Sequence, residues 1–267
     1  MFRVLVLGSN GLIVANIIYS MYEHSKYDLK IFAAVRPTAM ENFAKFGIER
    51  IFSNDIFVDF EKLLFQSEPD IVINCIGIVS QKFDTKTREE IIKLNSYLPA
   101  FLQHKCESHG IKLLNISTDC VFAPDSLNNN EFSTKFANDL YGKSKHLGEI
   151  NSCTARTIRL SSVGFEHAAH KHGLLEWFLG SQEVKILGYS KVTYSGVAGS
   201  EVFRIIDYAI EYWDTFELIH YQGYEINKYE LLCLFSDICG KSTTIVPVSN
   251  PFIKRNLKSE IVTPIQL

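Results

Sequence analysis

The chain opens Met1-Phe2-Arg3-Val4-Leu5-Val6-Leu7-Gly8-Ser9-Asn10-Gly11-Leu12-Ile13-Val14, and this stretch decides the fold. Phe2–Leu7 is apolar almost throughout rather than alternating, which reads as a strand buried on both faces. Gly8 permits a tight turn directly after it, and Gly11 lets an anion approach the backbone. The helical pattern Leu12–His24 then presents unpaired N–H groups and a positive dipole end to the turn, a place suited to a pyrophosphate. The third glycine usual in such a turn is Val14 here, which bears on how closely the helix packs. A plain strand–turn–helix is the alternative; a setting inside a strand–helix–strand unit favours the binding reading.

Outward from this unit the same rhythm repeats. Leu29–Val35, Asp70–Ile76, Ile111–Ser117 and Arg156–Leu160 read as buried strands, with Ile48–Asn54 weaker. Between them Thr38–Phe46, Phe57–Ser67, Lys86–His109 and Leu140–Asn151 have helical period. Thr38 with Glu41 makes a capping box, and Gly47 stands where a helix C-terminal glycine belongs. Strands alternating with crossover helices predict an α/β fold with a doubly wound parallel sheet, which binds ligands at the carboxyl ends of its strands.

After about residue 160 the rhythm loosens. Phe165–Gly173 reads as a histidine-bearing loop and Lys185–Gly196 as a Gly/Ser/Tyr-rich stretch, with Tyr189 and Tyr194 placed to dock a base or sugar. Gly199–Trp213 reads as a helix, Phe216–Tyr221 as a strand, and Asn227–Cys239 as a helix capped by Asn227 with Glu230. The tail, with Pro247, Pro251 and Pro264, reads as irregular. The expected organisation is a dinucleotide-binding domain over 1–160 and a small substrate-binding portion over 161–267, of which about 197–222 returns to the sheet.

Composition narrows the function classes. Of 267 residues 46% are hydrophobic and 21% charged, with a formal net charge of −3, so neither disorder nor a nucleic-acid-coating surface fits. The six cysteines are scattered without a C-x-x-C pair and read as small hydrophobes in a reducing compartment. No stretch approaches the ~20 apolar residues that span a bilayer. The expectation is a soluble cytoplasmic protein with no nucleic-acid or membrane partner.

Three further segments carry chemistry. Ala33-Ala34-Val35-Arg36-Pro37 ends the second strand with no Asp or Glu for a ribose diol; Arg36 can instead meet the 2′-phosphate of NADP, a surface arginine being the alternative. In Tyr141-Gly142-Lys143-Ser144-Lys145, residues 141 and 145 share one helical face while Lys143 points away. An ammonium there stabilises phenolate, so Tyr141 can deliver a proton to a carbonyl oxygen as hydride arrives on carbon. Ser117-Thr118-Asp119 ends the fifth strand, where a hydroxyl either holds a substrate carbonyl or satisfies the backbone. Glu166-His167, His170 and His172 could suggest a metal; with no second ligand cluster at a recognisable spacing, a polar loop is the preferred account and no metal is expected.

Taken in order, Gly-x-x-Gly, Asn74-Cys75-Ile76-Gly77, Asn95, Ser117-Thr118-Asp119-Cys120-Val121-Phe122 and Tyr141-Gly142-Lys143-Ser144-Lys145 resemble the extended short-chain dehydrogenase/reductases. Within them the chain most resembles the dTDP-4-dehydrorhamnose reductase branch. The resemblance covers residues 1 to about 160 and continues more faintly through Arg159-Leu160-Ser161, Tyr194-Ser195-Gly196-Val197 and Asn227–Leu232. It implies an NAD(P)-binding Rossmann fold and a catalytic triad of Thr118, Tyr141 and Lys145. Gly8, Asn10, Gly11 and Leu12 would line the pyrophosphate, with Arg36 at the adenosine ribose, Asp55 and Ile56 by the adenine, and Cys75, Ile76 and Gly77 beside the ribose and nicotinamide. Asn95, Tyr141 and Lys145 complete the implied cofactor contacts, and Ile78–Gln81 with the part after 160 would meet substrate.

The implied activity is NADPH-dependent reduction, with NADPH preferred to NADH, of a nucleotide-activated 4-keto-6-deoxy sugar for surface polysaccharide. A sugar-nucleotide epimerase and a non-catalytic NADP-binding regulatory subunit are the alternatives. Exposed helix faces of this fold allow a homodimer. Cys120 stands where the branch commonly has tyrosine, and the C-terminal portion is shortened.

Overall fold

In the computed structural model, which describes residues 1–9, 12–37, 47–166 and 173–262, the first strand divides its side chains between two cores. Along β1 (Phe2–Leu7), Val4 and Val6 face one core and Leu5 and Leu7 the other, all fully buried. Burial on both faces is why the run is apolar throughout. On one side lie β2 (Leu29–Val35) and β3 (Glu49–Phe52), on the other β4 (Ile71–Asn74), β5 (Lys112–Thr118) and β6 (Ala155–Val163), all parallel in the order β3-β2-β1-β4-β5-β6. The register sets Val4 beside Ile31 and Ile71. The sheet is doubly wound as expected, and its order reverses between β1 and β4, so the carboxyl ends there open a crevice.

The cores show which helices cover each face. α1 (Leu12–His24) supplies Val14, Ile17, Ile18 and Met21 to the core of Val4 and Val6. On the other face, α2 (Ile56–Ser67) contributes Phe60, Leu63 and Leu64. The single helix expected over Lys86–His109 is instead two joined by a wider turn. α3 (Arg88–Ile92) starts at a capping box of Thr87 and Glu90, a π-helical turn spans Lys93–Tyr97, and α4 (Leu98–His109) ends at Gly110. Pro99 sits in the first turn of α4, where its missing N–H costs nothing. α5 (Leu140–Leu147) stops at Gly148, four residues short of the expected end. The helix expected at Thr38–Phe46, with its capping box, lies outside the described residues; Gly47 has a left-handed φ of 66°.

Beyond residue 160 the chain is more ordered than its sequence suggests. After α6 (Leu174–Gly180), the Gly/Ser/Tyr-rich stretch forms β7 (Lys185–Tyr189) and β8 (Val192–Ala198), so Tyr189 and Tyr194 lie on strands. Short strands with mixed exposure leave no clean period, which is why the pattern was illegible. α7 (Val202–Glu211) packs on the α1 core, and β9 (Leu218–His220) pairs with Thr157–Arg159. β6 therefore forks, because its outer half, Ser161–Val163, pairs with β8 instead. β10 (Tyr224–Asn227) adds antiparallel to β8, and α8 (Lys228–Cys239) starts at the expected capping box of Asn227 and Glu230. The tail is not irregular: β11 (Thr244–Val248) pairs with β7, and β12 (Ile253–Arg255) with β8. A separate small core of Leu175, Phe178, Ile186, Leu231, Leu232 and Phe235 holds this portion together.

Candidate functional site

At the switch point lies a cavity of about 510 Å³ lined by Gly8, the end of β2 with Arg36, Ser53–Phe57, Cys75–Ile78 and residues of the segment 82–94. Gly8 has φ +90°, and a Cβ there would stand 3.0 Å from the main chain of Cys75 and Ile76. Only glycine gives a turn this tight with the β4 backbone so close. Asp55 caps α2 by accepting from the Phe57 N–H at 2.9 Å, which turns the start of that helix to the cavity. Of the residues expected around a dinucleotide, Gly8, Arg36, Asp55, Ile56, Cys75, Ile76 and Gly77 thus share one cavity. Asn10 and Gly11 lie outside the described residues, and Leu12 opens α1.

Asn95 takes a different place. It is fully buried; its amide accepts from the Ile78 N–H at 2.7 Å and donates to the Ile78 carbonyl at 2.9 Å and to Ser144 Oγ at 3.0 Å. It therefore straps the loop after β4 to α5 and is not among the residues lining the cavity.

Beside the cavity, the end of β5 meets α5. Asp139 caps α5 through the Gly142 N–H at 2.7 Å. Lys143 is exposed while Lys145 is buried, the expected split of the two faces. Thr118 Oγ1 donates to the Asp119 carboxylate at 3.0 Å and accepts from the Cys120 N–H at 3.2 Å. Thr118 also neighbours the Tyr141 phenol, whose pKa it pulls down against the larger effect of burial. Burial pushes the Tyr141 phenol well above its ordinary range, and Cys120, Asp119 and Asp139 add to the shift; the side chain is a neutral proton donor.

Lys145 Nζ donates to the Ile116 carbonyl at 2.7 Å. Burial lowers its pKa to about 8, against the opposing pull of Glu149 and Cys75. A Cβ on Gly77 would lie 3.8 Å from this nitrogen, so the ammonium borders the loop that lines the cavity. Thr118, Tyr141 and Lys145 together set a proton donor, a hydroxyl partner and a cation at one strand end.

Several groups here, Tyr194 apart, were not singled out from the sequence. Ser161, Tyr194 and Arg255 face the Asp119 carboxylate closely enough to shift or be shifted by it. Arg255 also donates to Cys120 Sγ at 3.4 Å and to Asp139 at 3.5 Å. These come from β6, β8 and β12, so only the fold brings them together. Glu149 accepts from Ser117 at 2.8 Å and takes a bidentate pair from Arg159 at 2.7 and 2.8 Å. Burial pushes the Glu149 carboxyl up, but Arg159, Lys135 and Ser117 together outweigh it and hold the carboxyl below its usual range. The available signal was Arg159 itself, a charge inside an apolar strand, where an unpaired cation is not tolerated. Among the described residues no group of three His, Cys, Asp or Glu side chains could hold a metal; His167, His170 and His172 lie outside them.

The model of the RmlD substrate binding domain matches residues 2–250. The chain belongs to that family. This places it among the extended short-chain dehydrogenase/reductases and so among NAD(P)-dependent oxidoreductases. No curated protein matches it. Solved structures share its fold at low identity. A dTDP-4-dehydrorhamnose reductase ortholog from Clostridium acetobutylicum is 17% identical at a TM-score of 0.73, over 96% of this chain and 90% of that one. The dTDP-4-dehydrorhamnose reductase of Bacillus anthracis in complex with NADP is 18% identical at 0.72, over 94% and 85%. The dTDP-glucose 4,6-dehydratase of the same organism, in complex with NAD, is 16% identical at 0.76, over 98% and 88%. No helix among the described residues is long and apolar enough to cross a membrane.

Proposed function

We propose that this family member reduces the keto group of a nucleotide-activated 4-keto-6-deoxy sugar with NADPH, in the making of surface polysaccharide. The observation that carries the reading is the placing of Tyr141 beside Thr118 at the carboxyl end of β5, with the buried Lys145 one helical turn along. The bound dinucleotide supplies hydride to the carbonyl carbon. Tyr141 gives its proton to the carbonyl oxygen, Thr118 orients that oxygen, and Lys145 offsets the phenolate left behind and holds the nicotinamide ribose. The fit to a dinucleotide rests on the turn at Gly8, which a side chain would fill, with Arg36 and Asp55 lining the same cavity. Arg36, in place of an acidic residue, favours the 2′-phosphate of NADP. The portion after residue 160 forms the substrate wall, through Ser161, Tyr194 and Arg255.

The test is NADPH oxidation, followed optically, across a panel of dTDP- and UDP-linked 4-keto-6-deoxy sugars. Tyr141→Phe is expected to lower kcat by about a hundred- to ten-thousandfold, the size of one proton-transfer contribution. Sugar isomerisation without net NADPH consumption would mark an epimerase. Cofactor binding with no turnover of any sugar would mark a regulatory subunit.

A further inference from the structure

We infer that Glu149, just past the end of α5, is a positioning residue of the proposed reduction: it clamps the end of β5 through Ser117 and is the fixed anion that answers the buried ammonium of Lys145. The inference rests on the reductase reading above and on the roles given there to Thr118 and Lys145. Glu149 lines no part of the cavity, so its action passes through other side chains.

Both oxygens of its carboxylate are engaged. Oε1 accepts from Ser117 Oγ at 2.8 Å and from Arg159 Nε at 2.7 Å, while Oε2 accepts from Arg159 Nη2 at 2.8 Å and Lys135 Nζ at 3.1 Å. The Glu149 side chain is 4% exposed and that of Arg159 1%. A buried ion pair is a poor way to gain stability, because both charges leave water to form it, and an apolar pair could join β6 to the end of α5 as well. What an apolar pair could not supply is charge. Ser117 stands between Thr118 and Ile116, whose carbonyl takes the Lys145 ammonium at 2.7 Å. One carboxylate thus holds the strand residue that separates the seat of Lys145 from Thr118.

Lys145 is buried, and a buried amine stays charged only where an anion opposes the loss of water. Among the described residues its hydrogen bond is to a neutral group, the Ile116 carbonyl. Burial works against its charge; Glu149, and then the Cys75 thiol in the loop after β4, favour it. Burial also pushes Cys75 up to about 12, so at neutral pH that thiol carries no charge. Glu149, which burial alone would raise, is kept below its usual range by Arg159, Lys135 and Ser117 and is ionised there. It is therefore the charge that opposes burial at Lys145, and Arg159 acts through it.

The experiment follows two titrations in the full chain. Glu149→Gln is measured alone and together with Arg159→Gln, since alone it leaves a buried cation unpaired and can cost the fold; the variant that keeps the wild-type circular dichroism is read. In both, the new amide oxygen still accepts from Ser117. Lysine Cε resonances of ¹³C-labelled protein report Lys145 directly, with Lys145→Met for assignment. NADPH oxidation, with a 4-keto-6-deoxy sugar nucleotide that the wild type reduces, gives the pH above which kcat/KM falls. Lys145 should titrate about one pH unit lower in the variant, and the fall in kcat/KM should move with it. At pH 9 the variant is then about tenfold slower than wild type, and at pH 6 it stays within about twofold. An unmoved Lys145 titration overturns the inference, as does a rate that drops equally at every pH, the mark of a strut. A wild type that reduces none of the sugars overturns it together with the reductase reading.

Discussion

Lys145 meets opposing demands. Burial favours its neutral amine, while the chemistry proposed for it needs the ammonium, and its pKa near 8 is the compromise. Free lysine titrates near 10.5, so between about pH 8 and 10.5 the unfolded chain binds more protons than the folded one. Over that window stability rises with pH, and the cost of burying the charge is felt below it. Activity runs the other way. The rate of sugar reduction should fall with unit slope above about pH 8 as the ammonium is lost. A pH profile of kcat/KM checks this; a profile flat through pH 9 would remove Lys145 from the proton chemistry.

At the scale of elements, two glycines allow α5, the helix of Tyr141 and Lys145, to sit where it does. A Cβ on Gly142 would run into the Cys120 carbonyl and Ala137, and one on Gly148 into the Asn95 carbonyl. α5 is therefore wedged between the loop after β5 and the π-helical turn before α4. Gly142→Ala is expected to push α5 outward and separate Tyr141 from Thr118. Since most of the cavity is lined by other elements and only the Lys145 contact to the ribose comes from α5, kcat should fall by about tenfold or more while NADP⁺ affinity falls by much less, a separation expected when positioning is lost more than binding. Parallel measurement of turnover and dinucleotide titration decides it; an equal loss in both would mean that the whole crevice had shifted.

Across the whole molecule, one buried chain of polar groups joins the sheet to the C-terminal tail. It runs from Ser117 through Glu149 and Arg159 to His220, whose Nε2 lies 3.0 Å from Arg159 Nη1. His220 Nδ1 lies 2.8 Å from the Lys258 carbonyl, and the His220 N–H donates to Glu131 at 3.0 Å. A guanidinium only donates and a carbonyl only accepts, so the imidazole is neutral with its hydrogen on Nδ1. Burial lowers its pKa to about 4, with Arg159 adding to the shift and Glu131 opposing it. The unfolded histidine titrates near 6.5, so in acid the unfolded chain binds the extra proton. Stability from this group is complete above about pH 6.5 and is lost as pH falls toward 4, by about 3 kcal/mol. Denaturant midpoints should drop over that window and drop less in His220→Gln; equal slopes in the two proteins would refute the assignment.

How much of this was legible follows from what each residue answers to. The apolar runs, the glycine turn and the capping boxes are local, and β1, β2, α1 and the start of α8 stand where the sequence puts them. Thr118, Tyr141 and Lys145 were equally visible, because a strand end and a helical repeat of four define them. Helix ends were less so: α5 stops early because Gly148 must pass beneath the Asn95 carbonyl, a contact made 53 residues away along the chain. The strands after residue 160 hid because their sides are half-exposed and each is held by a partner far along the chain, β12 by β8 and β11 by β7. The sequence by itself determined the doubly wound half and which side chains stand at its strand ends, since local periodicity and turn geometry suffice for both. Only the tertiary structure decided that Asn95 is a strap, that Arg159 is neutralised by Glu149 and that Arg255 stands beside Asp119, because burial and charge pairing depend on which distant segments the folded chain sets side by side.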